Sequence, residues 1–403
     1  KQINNIENKL NSFSNNLKKE NGKGLIIYEN STDGICSCSI LTNTLNELNL
    51  DYSIICIENI DLLSKTESIH HQYDFFIILA SYIPTKSKFV KINDLNKNIY
   101  IISKKNDLLE NQHKIYDLNV DITDSKSLNS ASMSTLSYLV SKKINNKYVE
   151  FAWLSAIGSS SLNIPFNGSN WTVLKEAERI GDIFIQDSKK ENIQLNISKT
   201  KKNIKTLAKD FSILASVMYN HNESEGIVSS CVSKNIHSLL PKIKNAKDKQ
   251  KTAFKNLRNQ IEDDGLFSRS KIQWFDASLY LTGMSGNVLD SFTLNLRYQT
   301  RFIHKNKYII GITDIKPFRL ENEFKDDWIR ISVQVPQRLE SEISKNNEQP
   351  VSSLIEASSY HSGGSGYGFD ISGYAYIPRK TTLIFLKMFE DLSISNNRDL
   401  PVL

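Results

Sequence analysis

Apolar positions in the first twenty residues fall at Ile3, Ile6, Leu10, Phe13 and Leu17. Spacings that alternate between three and four residues predict an amphipathic helix. The texture then changes to short, unbroken apolar runs at residues 24–28 (GLIIY), 52–57 (YSIICI), 74–79 (DFFIIL) and 99–102 (IYII). Runs this short and continuous predict strands buried on both faces of a parallel sheet. Helix-like patterns at residues 35–48 and 130–143 accompany them. Residues 1–190 are therefore expected to form an α/β domain.

From about residue 196 the period lengthens. Ile204, Leu207, Phe211, Leu214 and Val217 form a helical stripe, and polar helical sequence continues to about 262. Residues 191–262 are read as a helical connector. After Asp263, Asp264 and Gly265, strand-like segments appear at residues 292–297 (FTLNLR), 308–312 (YIIGI) and 328–333 (WIRISV). With a closing helix over 383–392 they predict a second, smaller α/β domain at 263–403. No internal repeat is evident.

Composition narrows the class. A chain of 403 residues with 39% hydrophobic and 23% charged residues suits a folded, multidomain protein. It holds no run of eighteen apolar residues, so no membrane span is expected. The start of the chain lacks the apolar core of a secretion signal. It also lacks an initiator Met, so the chain is expected to be trimmed. Cys36, Cys38, Cys56 and Cys231 are too few and too unevenly spaced for a disulfide framework. The Cys36/Cys38 pair has no second cluster at zinc-ligand spacing. Reduced, buried thiols and a cytoplasmic location are the expectation. A net charge of +6 permits contact with nucleic acid without requiring it. Phosphate-loop, HExxH and GxSxG signatures are absent from the sequence.

The densest cluster of glycine lies near the end, in residues 363–378 (GGSGYGFDISGYAYIP). Glycine is entropically costly in ordered chain, so such a run implies close approach of backbone to a ligand or to another strand. The run resembles the terminal signature GG-x-GGGH-D-x-AAG-A-x-IP of the RecJ-like DHH phosphoesterases, with Phe369 in place of the histidine. Residues 29–35 (ENSTDGI) resemble that family's H-x-D-x-D-G-I motif. Asp33, Gly34 and Ile35 match; Glu29 replaces the histidine and Ser31 the first aspartate. Ala80 stands where the family has a metal-bridging aspartate. Ser103, Lys104 and Lys105 stand where it has Asp-His-His. Residues 156–159 (AIGS) resemble its AIGD, with Ser159 replacing the acid. Residues 328–334 (WIRISVQ) resemble a strand that ends in a phosphate-binding arginine, here Gln334.

The resemblance implies a parallel-sheet DHH domain joined to a DHH-associated domain. In active members it also implies paired divalent cations that generate hydroxide and clamp the phosphate. Such cations need several carboxylate or imidazole ligands close together. Only Glu29 and Asp33 could serve here, and a metal ion about 4 Å from Lys104 or Lys105 would be repelled by roughly 4 kcal/mol per unit charge. A catalytically inactive member is expected, with no metal or other cofactor.

Each matched residue also has a plain reading. Asp33 precedes the helix expected at residue 35 and is read as its cap, with Gly34 allowing the tight turn. Glu29 is read as a solvated carboxylate. Lys104 and Lys105 either lie in a solvated loop or grip phosphate. Tyr367 and Phe369 either fill the substrate cleft, the favoured reading, or stack on a base. Gly364 and Gly366 would line the same nucleic-acid contact. Lys247 and Lys251 belong to a basic run from Lys242 to Arg258, read as a solvated helix face or a nucleic-acid contact.

A compact RecJ-like chain stripped of metal ligands resembles the non-catalytic Cdc45 branch of the family in its archaeal form. That implies a structural subunit of the replicative CMG helicase, with GINS and MCM as partners and single-stranded DNA as a further contact. One alternative is a divergent single-strand nuclease with a metal site rebuilt from Glu29, Asp33 and Asp74. Another is an inactive regulator of an active RecJ paralogue.

Overall fold

The computed structural model describes residues 2–58, 60, 72–83, 97–106, 114–119, 131–162, 165–186, 192–197, 200–316 and 327–395. Among these, one compact unit takes in residues up to Ala215 together with His221–Lys244. A second takes Ser216–Asn220 and the residues from Asn245 onward.

The first unit opens with helix α1 (Gln2–Leu17), then β1 (Lys23–Glu29), α2 (Thr32–Glu47), β2 (Asp51–Ile57), β3 (Phe75–Ile83), β4 (Asn98–Asn106) and β5 (Ile115–Asn119). The strands form one parallel sheet in the order β2-β1-β3-β4-β5. Residues 25–28, 75–79 and 99–102 are buried throughout, as expected of strands covered on both faces. Helices α3 (Met133–Ile144), α4 (Ala152–Ser160) and α5 (Gly168–Ile180) follow. A small antiparallel sheet, β6 (Ile183–Ile185), β7 (Ile193–Ile197) and β8 (Thr200–Asn203), was not anticipated from sequence. Then come α6 (Ile204–Val217), α7 (Glu223–Val232) and the 25-residue α8 (Leu240–Asp264), inside which the division between units falls.

The second unit continues with β9 (Phe267–Ser268), β10 (Ile272–Asp276), α9 (Gly286–Leu296), β11 (Tyr308–Ile315), β12 (Trp328–Gln334), α10 (Gln337–Ser344), α11 (Val351–His361), β13 (Ser365–Gly368), β14 (Ser372–Pro378) and α12 (Thr382–Ile394). Its six-stranded sheet runs β13-β14-β12-β11-β10-β9, antiparallel except for the β10–β11 pair. One face carries Ile310, Ile329, Ile331, Val333, Ala375 and Ile377 into a core shared with α11 and α12.

One expectation is corrected here. Residues 292–296 belong to helix α9, with Arg297 its C-cap, and not to a strand. Phe292, Leu294 and Leu296 alternate, but the buried set is Val288, Leu289, Phe292, Thr293 and Leu296, a helical stripe that leaves Leu294 exposed. Ser285 caps this helix by accepting the Asn287 N–H at 3.2 Å. The glycine-rich run forms the β13–β14 hairpin, a close approach of one strand to another.

Candidate functional site: the strand ends and the serine cluster

In the parallel sheet β1 lies between β2 and β3, so the chain order reverses there. Ligands of such sheets bind beyond the carboxyl ends of the strands at this point. Glu29 closes β1, and its Oε2 accepts the N–H of Ser81 on β3 at 2.6 Å. The carboxylate is a bridge across the switch point, which corrects its reading as a solvated group. Next to it, Ser31 is the N-cap of α2: its backbone is extended and its Oγ accepts the Gly34 N–H at 3.1 Å. A side chain on Gly34 would place Cβ 2.4 Å from the Glu29 carbonyl oxygen, so only glycine fits.

Helix α2 begins at Thr32, a turn earlier than expected, and this changes the role of Asp33. It does not cap its own helix. Its buried carboxylate reaches the start of α3, where Oδ2 accepts the Met133 N–H at 3.0 Å. Oδ1 accepts the Ser134 N–H at 3.0 Å and the Ser134 hydroxyl at 2.7 Å. An anion at a helix N-terminus is satisfied both by free N–H groups and by the helix dipole.

Around that helix start the sequence places a set of hydroxyls. Ser132 caps α3 through its Oγ, which accepts the Thr135 N–H at 3.0 Å, and lies 2.8 Å from Ser159 Oγ. Thr135 Oγ1 lies 3.1 Å from Ser159 Oγ and 2.8 Å from Ser155 Oγ. Asn170 Oδ1 accepts the Ser132 N–H at 2.9 Å and the Ser159 hydroxyl at 3.3 Å. Gly158 completes the packing, because a Cβ there would lie 2.2 Å from Ser134 Oγ and 2.9 Å from Asp33 Oδ1. Of this group the motif comparison pointed to Asp33 and Ser159. It missed Ser134, Thr135, Ser155 and Asn170, although the Ser132-Met133-Ser134-Thr135 string is itself a helix-start signal.

Ala80 and Ser103 are buried in β3 and β4. Strand β4 runs on to Asn106, and Lys105 pairs with Tyr82 of β3, so Lys104 and Lys105 lie in a strand rather than in a loop. Their side chains lie outside the described residues. Asp74 sits at the opposite, amino-terminal end of β3, where its Oδ2 accepts the Lys23 N–H at 2.7 Å. It cannot share a metal with Glu29 at the carboxyl end. The four cysteines are free and buried. Burial raises all four thiols, Cys231 to about 12.

In the second unit the glycines serve packing. A Cβ on Gly364 would lie 2.0 Å from the Tyr376 carbonyl oxygen, and one on Gly366 would lie 2.6 Å from Ser359 Oγ and 2.8 Å from the Ile355 carbonyl oxygen. Tyr367 stacks obliquely on Tyr374, with ring centroids 5.8 Å apart. Phe369 is 79% exposed at the hairpin tip, which corrects the favoured reading that it fills a cleft. Below the hairpin, buried Arg330 pairs with Asp290 and donates to Tyr376, and its guanidinium lies 3.7 Å from the Tyr374 ring centroid. Burial acts to lower the Arg330 pKa, but the Asp290 carboxylate overrides it and keeps the value above the usual arginine range. Gln334 is buried at the end of β12. Lys247 and Lys251 are exposed on α8, which buries Ile243, Ala246, Ala253 and Leu257.

The residues present do not fit a two-metal centre. Asp33 and Glu29 spend carboxylate oxygens on backbone N–H groups, and Ser31, Ala80, Ser103 and Ser159 are not the carboxylate or imidazole ligands that hard divalent cations select. Among the described residues no group of three or more His, Cys, Asp or Glu is placed to hold a metal ion.

No protein-family model and no curated protein matches the chain. Solved structures do. RecJ from Thermus thermophilus in complex with Mn2+ superposes with a TM-score of 0.63 at 10% identity, over 96% of this chain and 55% of that one. The fold is RecJ-like. This chain thus spans about half the length of the Thermus RecJ. A manganese-bound exonuclease RecJ matches with a TM-score of 0.58 at 10% identity, over 97% of each chain. CDC45 from Entamoeba histolytica matches with a TM-score of 0.54 at 12% identity, over 97% of this chain and 98% of that one. The RecJ-like fold is therefore common to manganese-bound exonucleases and to CDC45. No helix among the described residues is long and apolar enough to cross a membrane.

Proposed function

We propose that this RecJ-like chain is a non-catalytic scaffold subunit of an archaeal replicative helicase of the CMG type. It bridges GINS and MCM, with single-stranded DNA as a secondary contact. The observation that carries the reading is the inward turn of Asp33: the one aspartate retained from the metal motif is held by two backbone N–H groups and a hydroxyl of α3. The bridge from Glu29 to Ser81 supports the same reading, and so does the match over nearly the full length of a CDC45.

The test is affinity purification of the tagged full chain from the source cell, with the captured proteins identified by mass spectrometry. Recovery of GINS and MCM subunits is expected; recovery of neither sinks the proposal. In parallel, the pure protein is incubated with a labelled single-stranded oligonucleotide and Mn2+, and no degradation is expected. Degradation that Asp33→Asn abolishes would favour the divergent nuclease instead.

A further inference from the structure

The six-stranded sheet ends at β13, and the hydrogen-bond parity of the hairpin leaves that edge open. Tyr367 is opposite Tyr374, Gly368 is opposite Gly373, and the Phe369 N–H donates to the Ser372 carbonyl at 2.7 Å. Bonded and non-bonded pairs alternate along an antiparallel ladder. Ser365 and Tyr367 therefore direct their N–H and C=O groups at β14, while Gly366 and Gly368 direct theirs away from it. Among the described residues none takes up these outward groups. The flanking backbone is tied down: the Gly364 N–H donates to the Ser359 carbonyl at 2.9 Å, and the Phe369 carbonyl accepts the Ser352 N–H at 3.1 Å. No proline, charge or bulge guards residues 365–368. Phe369 is 79% exposed at one end of the edge, and Tyr360 is 65% exposed near the other.

We propose that β13 accepts an extended segment of a partner protein as a seventh strand. Two outward N–H groups and two outward C=O groups, spaced two residues apart, are the recognition pattern of a polypeptide strand. Side chains of the incoming segment on the Tyr367 face would be apolar, covering Phe369. Those on the other face would be small, because α11 lies so close beneath β13 that glycine alone fits at position 366. A second copy of this chain does not suit the edge. Two-fold pairing would bring the two α11 helices beneath strands about 4.8 Å apart, whereas packed helices need about 8–10 Å. The occupant is a strand that brings no helix of its own to that face.

This deepens the scaffold reading by giving it a docking edge, and the test separates the two. The full-length protein is co-expressed with tagged GINS or MCM subunits, as wild type, Gly368→Pro and Phe369→Lys. The first variant removes one outward N–H and also sets a Cβ 3.1 Å from Ser352 Cα; the second puts a charge beside the incoming strand without altering backbone. Capture is expected to fall about tenfold in Gly368→Pro, the loss of roughly one hydrogen bond, and about tenfold in Phe369→Lys, where a charge replaces the apolar side chain that the incoming strand would cover. Amide exchange at Gly366 and Gly368 should be fast in the free protein and at least about tenfold slower in the complex, with Ser365 and Tyr367 slow in both. Unchanged capture in both variants, or unchanged exchange at the two glycines, overturns the edge and leaves the scaffold reading standing. If wild type captures neither bait, the scaffold reading falls. The edge is then decided with a six-residue peptide of alternating Val and Ala, and failure of that peptide to slow the two amides overturns it.

Discussion

The start of α3 and the β13–β14 hairpin both carry residues that resemble the same enzyme family, yet they hold them for different reasons. At α3 the polar groups of the motif are redirected: Asp33 binds the helix start, and Ser159 joins a ring of hydroxyls. At the hairpin the polar residue is gone and the glycines remain, because Gly364 and Gly366 press on backbone that leaves no room for a methyl group. A polar position can thus take any side chain that satisfies its neighbours. A position where backbone touches backbone has no such freedom. Glycine positions of this kind report the fold, whatever the polar positions do.

Substitutions can break this comparison, beginning with the largest expected effect. Asp33→Ala strands two backbone N–H groups and a hydroxyl in a buried site and removes a charge paired with a helix terminus. A loss of about 3–5 kcal/mol is expected in chemical denaturation, and a loss below about 1 kcal/mol would mean the carboxylate is not structural. Gly364→Ala forces a methyl group against the Tyr376 carbonyl and should cost about 1–3 kcal/mol; a neutral result would show that the hairpin glycines are not retained for packing. Ser159→Ala removes one member of the hydroxyl ring, with an expected cost of about 1–2 kcal/mol. At the small end, Lys247→Ala with Lys251→Ala should stay within about 0.5 kcal/mol in stability. A marked weakening of oligonucleotide binding in that double variant, read by fluorescence anisotropy, would move α8 from solvated face to nucleic-acid contact.

The parallel sheet was legible in sequence because strands covered on both faces read as solid apolar runs. Strand β5 was not, since residues 115–119 (IYDLN) lie at the sheet edge and only Leu118 is buried. The FTLNLR segment misled because six residues of a helix with Phe292 and Leu296 inward and Leu294 outward mimic strand alternation. The site was legible only as a pattern of losses. The hydroxyl network was hidden, because hydrogen bonds between Asp33 and Ser134 or between Ser132 and Ser159 span 101 and 27 residues of chain, and serine carries little positional signal by itself.

The four free thiols have a practical consequence. Burial raises the Cys231 thiol to about 12, which disfavours the thiolate, the form that reacts with alkylating probes. Cys36, Cys38 and Cys56 are buried and raised as well. An engineered surface cysteine would therefore be labelled almost alone. Fluorophores and cross-linkers could be placed one site at a time on the native background, with no cysteine removed first.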